Sequence, residues 1–213
     1  MKRRFLLILI PCALLSCTPQ APPPASVTSS QIEGTRGPKI ASRIRVDGLI
    51  EAREWTDPDT STVLLPDGRI ITVLRQRGPD SLDFAFIGLG GNVPRRIHPE
   101  ILLDVSGRFP AQFSKDSWWF RIAPSRCVAS GSTEALECDI QLSGFEASAS
   151  PIDRQDNLEV RISFSLLEFN PTTTPLIAHA LRFAEQSAFA DATWPLAAEL
   201  NRPDTWFRLD LSE

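Results

Sequence analysis

The sequence is poor in side chains that bind metals or haem. It contains two histidines, His98 and His179, and its one methionine is the first residue. No Cys-x-x-Cys-His motif, paired-histidine metal motif, Gly-x-Ser-x-Gly elbow or phosphate-binding loop is present. Haem iron is commonly held by His or Met side chains, and the common hydrolase and nucleotide-binding classes use those motifs. The composition therefore predicts a protein that is not an enzyme and has no haem.

Long apolar runs and an excess of positive charge are also missing. The one extended apolar run, residues 5–15, is too short to cross a bilayer, and no internal repeat or long helical period occurs. The formal net charge is -4. An acidic chain has no long-range attraction to DNA or RNA, so nucleic acid is not an expected partner.

The first 17 residues predict that the protein is exported. Three basic residues precede the apolar run, as in a signal peptide. Residues 14–17, Leu-Leu-Ser-Cys, resemble a bacterial lipobox, in which cleavage leaves Cys17 first and lipidated. The alternative is an ordinary secretory signal with Cys17 incidental. Cleavage would remove three of the 22 basic residues and none of the 26 acidic ones, so the net charge would change from -4 to -7.

The segment after Cys17 predicts a tether. Residues 18–39 are rich in Pro, Ser, Thr and Gly, and cannot bury enough apolar surface to fold alone. Thr18 stands where an Asp usually retains lipoproteins in the inner membrane. The expected organisation is a signal peptide over 1–16, a lipidated Cys17 with a flexible tether over 17–39, and one domain over 40–213. The expected location is the bacterial cell envelope, lipid-anchored in the outer membrane on its periplasmic or surface face.

Two of the four cysteines would remain available after lipidation. Cys12 leaves with the signal peptide, so Cys127 and Cys138 are left in an oxidising compartment, where they are expected to form a disulfide. The rival is a zinc site, but two cysteines with no histidine between them supply only half of one.

Short segments of alternating apolar and polar residues predict strands throughout the domain. They are separated by turn residues such as Pro66-Asp67-Gly68. The expected strands are 40–46, 61–65, 69–75, 82–86, 101–105, 116–122, 145–147, 158–164, 176–183 and 206–211, with a stapled hairpin over 127–138 and Trp194 in a loop. About ten short strands predict an all-β fold, an antiparallel β-sandwich of the jelly-roll or immunoglobulin-like kind, in a single domain.

The order of several weak motifs resembles the family-nine carbohydrate-binding modules and their DOMON-like relatives. These motifs are Val46-Asp47-Gly48 followed by Glu54-Trp55, then Glu100, Ile101, Asp104, Gly107, Asp116 and Trp119, then Glu159 and Ile162, and finally Trp194-Pro195 and Pro203 to Trp206. The resemblance covers about residues 40–213. It implies a jelly-roll-like sandwich that is often a non-catalytic sugar-binding module and sometimes holds structural calcium.

The sugar-binding members of that family clamp a terminal sugar between two tryptophans. By count, the clamp positions fall at Pro94 and Leu200, and neither is aromatic, so this clamp does not carry over. Sugar binding would need a substitute stacking surface, and Trp118, Trp119 and Trp194 are the candidates. Adjacent residues of a strand point to opposite faces, so at most one of Trp118 and Trp119 faces the core. The alternative is that all three are packing residues.

The remaining hypotheses concern calcium and partners. Asp104 and Asp116 could bind calcium together with loop carbonyls, or they could cap and form turns. The leading function is a glycan-binding envelope module. The rival is a protein-interaction or structural module of an envelope complex that has lost the sugar site. A third hypothesis, a glycoside hydrolase using acids such as Glu100 and Asp116, is disfavoured because scattered carboxylates are usually surface charge.

Overall fold

The computed structural model describes the larger part of the chain. The described ranges are 35–36, 44–90, 97–122, 126–130, 137–138, 143–149, 157–185 and 192–212, with the backbone alone at 35–36, 126–130, 137–138 and 185. The chain divides into two units, Met1–Gln31 and Ile32–Glu213, and the described residues belong to the second. The predicted signal peptide, Cys17 and Pro94 lie outside the described residues. Within the described ranges, no helix is both long enough and apolar enough to cross a membrane.

The described residues form strands and a single short 3₁₀ helix, Pro203–Thr205. The strands are β1 (Thr35–Arg36), β2 (Asp59–Leu64), β3 (Ile70–Arg77), β4 (Ser81–Ile87), β5 (Ile97–Asp104), β6 (Ser117–Ile122), β7 (Arg126–Ser130), β8 (Glu137–Cys138), β9 (Phe145–Ala149), β10 (Leu158–Ser163), β11 (Leu176–Glu185), β12 (Ala192–Trp194) and β13 (Phe207–Asp210). The predicted all-β fold is confirmed.

The strands make two sheets that form a β-sandwich. The larger sheet has the order β1-β13-β11-β5-β6-β7-β8, with β12 paired to β11, and the smaller has the order β2-β3-β4-β10-β9. All pairs are antiparallel except β1 with β13, which is parallel. The prediction of an antiparallel sandwich is therefore confirmed.

Apolar side chains from the inner faces of both sheets form the main core. Its largest fully buried members are Ile71, Leu82, Phe84, Phe86, Ile101, Leu103, Phe120, Ile162 and Phe183. They recur at every second residue of their strands, the period that places side chains on one face of a sheet. This alternation is what made the strands readable from the sequence.

Three local predictions differ from the structure. Residues 44–46 form no strand. The carbonyl of Ile44 accepts a hydrogen bond from Arg161 Nη2 (2.5 Å), so a side chain takes the place of a strand partner. Thr35–Arg36, within the predicted tether, pairs with β13. Trp194 was predicted in a loop, but it belongs to β12, a strand of three residues that pairs with β11.

Residues 44–55 lie across the outer face of the smaller sheet and are held there by Glu159. The Glu159 carboxylate accepts bonds from Trp55 Nε1 (3.0 Å) and from the backbone N–H groups of Gly48 (2.9 Å) and Asp47 (3.2 Å). Burial raises the pKa of Glu159, and these three donors oppose that rise. Motif residues far apart in sequence thus meet in one structural contact, and Trp55 is a buried anchor of the fold.

A buried ion pair lies on the same face. Arg161 Nε is 2.9 Å from Asp83 Oδ1, and both side chains are almost fully buried. Burial raises the pKa of Asp83 to about 6, although Arg161 and a hydrogen bond from Ser81 favour its charged form. For the Asp83 carboxylate, the free-energy cost of desolvating the charged form therefore exceeds the gain from its pairing with Arg161.

The raised pKa predicts that Asp83 titrates at a higher pH than an ordinary aspartate. Between about pH 4 and pH 6 the folded chain holds this proton and the unfolded chain releases it, so the contribution of Asp83 to stability falls as the pH rises through that window. Carboxyl ¹³C NMR should give a midpoint near pH 6 for Asp83. The internal control is Asp67, an exposed acid whose pKa is lowered by its hydrogen bond with Arg69. A midpoint for Asp83 at or below 4 would contradict the prediction.

Cys127 and Cys138 are directly opposite each other in the antiparallel pair β7–β8. Opposite residues in such a pair have Cα atoms about 4.5–5.5 Å apart, within the range that a disulfide spans. No disulfide is present among the side chains that the structure describes, and those of Cys127 and Cys138 are not among them, so the bond stays a prediction. If it forms, reduction should cost about 3 kcal/mol of stability by the chain-entropy estimate. Thiol counting under denaturing conditions, on a chain carrying Cys12→Ser and Cys17→Ser, followed by urea unfolding with and without reductant, tests this; two free thiols before reduction would refute it.

Candidate functional site

A second apolar cluster lies on the outer face of the larger sheet. Its buried members are Leu102, Trp119, Ala178, Ala180, Ala198 and Trp206, and Phe109, Phe113 and Leu200 pack against it. Trp206 is fully buried, and its Nε1 donates to the Glu199 carbonyl (2.7 Å). The loop after β5 and the segment before β13 are tied together by a bond from Asp204 N–H to the Pro110 carbonyl (3.2 Å). This cluster gives the outer face a firm apolar floor.

Three charged side chains stand side by side on that face. Glu100 in β5 is directly opposite Arg121 in β6 on one side and Arg182 in β11 on the other. Arg121 Nε lies 2.8 Å from Glu100 Oε1, and Arg182 Nη1 lies 3.1 Å from Glu100 Oε2. Trp119 Nε1 also donates to Oε2 (3.0 Å). We call these four residues the Glu100 network.

Burial differs sharply within the Glu100 network. The Glu100 side chain is 0% exposed, whereas the side chains of Arg121 and Arg182 are 36% and 19% exposed. A buried carboxylate is tolerated only when it is paired and hydrogen-bonded, and three donors meet that need here. The guanidinium carbon of Arg121 also lies 5.7 Å from the Trp119 ring centroid, within cation–π range. Glu100 and Trp119 therefore hold the guanidinium groups in place at the surface.

Such an arrangement is suited to binding a polar ligand. Arginine presents several N–H donors in one plane, a geometry that matches paired oxygens on a ligand. Binding sites commonly combine an apolar floor with a few polar groups of fixed orientation. Both features occur together on this face of the larger sheet.

The three candidate tryptophans are not brought together. Trp119 is 9% exposed and lies on the outer face, while Trp118 packs against the core between the sheets, as their adjacency in one strand predicted. Trp118 is partly buried and stacks on Phe120, with ring centroids 5.9 Å apart. Trp119 offers little surface to a sugar because its ring is covered and its Nε1 is bonded to Glu100.

Trp194 is partly buried and, like Trp118, packs against the main core, but among different neighbours. Its ring lies 4.3 Å from the guanidinium carbon of Arg75, 5.0 Å from the His179 ring and 4.9 Å from the Phe207 ring. Arg75 is buried and forms an ion pair with Asp59 (2.8 Å). Stacking of a sugar on any of the three tryptophans remains a prediction, and these contacts show each of them packed against protein neighbours.

His179 is fully buried next to that arginine. Arg75 Nη1 lies 3.2 Å from His179 Nε2, and since arginine can only donate, Nε2 accepts and the ring proton resides on Nδ1. Burial, together with the charge of Arg75, lowers the pKa of His179 well below its ordinary value. The imidazole is therefore neutral at pH 7 and belongs to the packing between the sheets.

Asp104 and Asp116, the candidate calcium ligands, lie at the two ends of the loop between β5 and β6. The buried Asp104 carboxylate accepts bonds from the hydroxyls of Ser106 (2.5 Å), Ser117 (2.6 Å) and Ser114 (3.4 Å). Asp116 contributes its backbone, donating to Ser114 Oγ (3.2 Å) and accepting from Val105 N–H (3.1 Å). Among the described residues, no group of three or more His, Cys, Asp or Glu side chains could hold a metal ion. Calcium at Asp104 and Asp116 stays a prediction.

The second clamp position, Leu200, packs partly buried against the outer apolar cluster. Glu100 stands in a recognisable sequence motif, whereas Arg121 and Arg182 do not. One pattern could have drawn attention to Arg121, because Trp119 and Arg121 alternate and so share a strand face. Arg182 could be joined to them only once the strand register was known.

The architecture is that of the carbohydrate-binding β-sandwiches. More closely, the chain has the fold of the family 9 carbohydrate-binding modules, as its motifs predicted. A module of this family from Caldicellulosiruptor kristjanssonii in complex with glucose is 12% identical, with a TM-score of 0.57, and the match covers 84% of this chain and 96% of that one. The module in complex with cellotriose is 13% identical, with a TM-score of 0.58 and coverage of 81% and 92%.

A third similar structure comes from Bacteroides uniformis and carries a provisional description as a carbohydrate-binding protein. It is 9% identical, with a TM-score of 0.50, and the match covers 81% of this chain and 97% of that one. No protein-family model matches the sequence, and no curated protein matches it. At these identities the comparisons establish the fold, and the function has to be argued from the residues on it.

Proposed function

We propose that this chain is a non-catalytic glycan-binding module in which the Glu100 network contacts the sugar. The observation that carries the proposal is the buried Glu100 carboxylate, which fixes two partly exposed arginines above an apolar floor. Fixed donors bind with less loss of side-chain entropy than mobile ones. The fold shared with carbohydrate-binding modules supports the proposal.

The proposal treats the site as binding rather than catalytic. Glu100, the one carboxylate of the network, is fully buried and accepts three hydrogen bonds from Trp119, Arg121 and Arg182. Glycoside hydrolysis instead needs a pair of carboxyl groups flanking the scissile bond. A carboxylate held in this way is suited to positioning its neighbours.

A glycan-array screen tests the proposal most directly. The protein would carry Cys17→Ser, which removes the predicted lipidation site, and would be screened with and without calcium. Arg121→Gln should lose the bound glycans, whereas the matched control Arg208→Gln should keep them. Arg208 is exposed on the same face of the same sheet and lies over Phe109, outside the Glu100 network. Loss of binding in both variants alike, or no bound glycan at all, would count against the site.

We further propose that the module is displayed on the bacterial envelope by lipid attached to Cys17, at the outer membrane. The basic start, the short apolar run and Leu14-Leu15-Ser16-Cys17 support this. Mass spectrometry of the mature protein from membranes should show a chain that begins at an acylated Cys17. A chain that begins elsewhere and carries no lipid would refute the anchor.

One observation favours the alternative, a protein-interaction module. Leu64 and Ile70 are opposite each other at the tip of the β2–β3 hairpin, and they are 68% and 62% exposed. Adjacent exposed apolar side chains can mark a protein contact. The alternative would gain support if no glycan bound and if Leu64→Ser with Ile70→Ser, but not Arg121→Gln, weakened co-purification of an envelope protein.

A further inference from the structure

The Glu100 network exposes hydrogen-bond donors and buries its acceptor. Glu100 supplies the only acceptor oxygens among its four side chains, and it is 0% exposed. Its Oε2 accepts from Trp119 and Arg182, and its Oε1 accepts from Arg121. A ligand approaching this centre therefore meets N–H groups of arginine, which can donate but cannot accept.

That imbalance selects among sugars. A neutral sugar presents hydroxyl groups, each of which both donates and accepts, so a surface of donors pairs with the oxygen lone pairs but leaves the O–H groups without an acceptor. A carboxylate only accepts, and it forms paired, charge-assisted bonds with a guanidinium that are stronger than bonds between neutral groups. Arg121 bonds Glu100 through Nε, so the contact engages the side of its planar fork and not the terminal Nη groups.

The apolar part of the site also favours a charged sugar over a neutral one. Neutral sugars depend largely on stacking against an exposed aromatic face, and at this centre Trp119 is 9% exposed. Leu200, packed on the same apolar cluster, adds no aromatic ring. The other aromatic rings of this face, Phe109 and Phe113, are partly buried, with Arg208 over Phe109 and Trp206 against Phe113. At the Glu100 network itself, the exposed recognition groups are guanidiniums rather than aromatic rings.

We infer that the site binds an acidic glycan and that Arg121 binds the carboxylate of a uronic acid residue. The inference rests on the proposed function and narrows it to a class of sugar. General attraction of anions does not account for such binding, because the chain has a formal net charge of -4. Recognition would come from the local arrangement of Arg121 over Trp119 and beside Glu100.

Isothermal titration calorimetry with a matched pair of ligands tests the inference. The full chain carrying Cys17→Ser is titrated with trigalacturonic acid and with its methyl ester, which keeps the sugar but loses the negative charges. The free acid should bind at least tenfold more tightly than the ester. Arg121→Gln should abolish this difference, Arg121→Lys should lose most of it because an ammonium lacks the planar fork, and Arg208→Gln should preserve it.

The outcomes separate the inference from the proposed function. If acid and ester bind equally and both need Arg121, the module binds glycans but the preference for acidic ones is wrong. If the acid binds regardless of Arg121, binding lies elsewhere and the inference is again wrong. If neither ligand binds and the glycan array is also empty, both fail. Circular dichroism of each variant shows whether it is folded. If Arg121→Gln is unfolded, Arg121→Lys, which keeps the charge beside Glu100, serves as the test instead.

Discussion

Glu100→Ala should lower the free energy of unfolding by about 2–3 kcal/mol and abolish glycan binding. Removing one partner of a fully buried ion pair typically costs about 3–5 kcal/mol, because the other charge stays trapped without a partner. Here Arg121 and Arg182 are partly exposed and can turn toward water, which reduces the cost. The Trp119 Nε1–H group cannot turn toward water, and it would be left without its acceptor. Binding is lost because the two guanidiniums no longer have a fixed position.

Urea unfolding and calorimetric titration of the same preparations measure the two effects. Glu100→Gln is the control, since it keeps the shape and one acceptor oxygen while it removes the charge, and it should show intermediate losses in both measurements. A Glu100→Ala protein that is destabilised by less than about 1 kcal/mol, or that binds glycan like the wild type, would show that the carboxylate does not organise the site.

Trp206→Ala should cost more stability than Glu100→Ala, about 3–5 kcal/mol. Trp206 is fully buried in the outer apolar cluster, its ring meets Phe113 edge to face at 6.1 Å, and its Nε1 donates to the Glu199 carbonyl. Alanine would remove all three contributions and leave a large cavity beneath the segment that precedes β13. Because Trp119 shares this cluster, the floor of the proposed glycan site should loosen as well.

Trp206→Phe separates packing from hydrogen bonding in that result. Phenylalanine keeps most of the ring volume but loses the Nε1 bond, so a cost of about 1–2 kcal/mol is expected. Thermal and urea unfolding of both variants provide the comparison. Equal costs for the two variants would mean that the indole hydrogen bond, and not the buried volume, stabilises this part of the sandwich.

The fold was predictable because alternation of apolar residues reports directly on strand faces. Leu158, Val160 and Ile162 alternate in the sequence and lie buried on one face of β10. Residues 40–46 show the limit of this reasoning. They alternate as well, but the described part of that segment is held by Arg161 through the Ile44 carbonyl, an interaction between residues 117 positions apart. No local pattern reveals such a contact.

The candidate site was less predictable for a related reason. Trp118, Trp119 and Trp194 are conspicuous in the sequence, yet residue type says nothing about whether a ring is covered by neighbours. Arg121 and Arg182 are ordinary charged residues until strand register places them on either side of Glu100. Register depends on pairing between distant strands, here β5 with β11, and so becomes visible only in the folded structure.

Indole ¹H–¹⁵N NMR during titration with a glycan found in the array tests the central claim most directly. The chain has five tryptophans, and Trp119 is the one whose Nε1 donates to Glu100. A sugar bound by the Glu100 network should therefore shift the Trp119 indole resonance most strongly, while Trp55, bonded to Glu159 on the smaller sheet, serves as the internal reference. If saturating glycan moves the Trp118 or Trp194 resonance and leaves that of Trp119 unchanged, the sugar binds at another site and the account is contradicted.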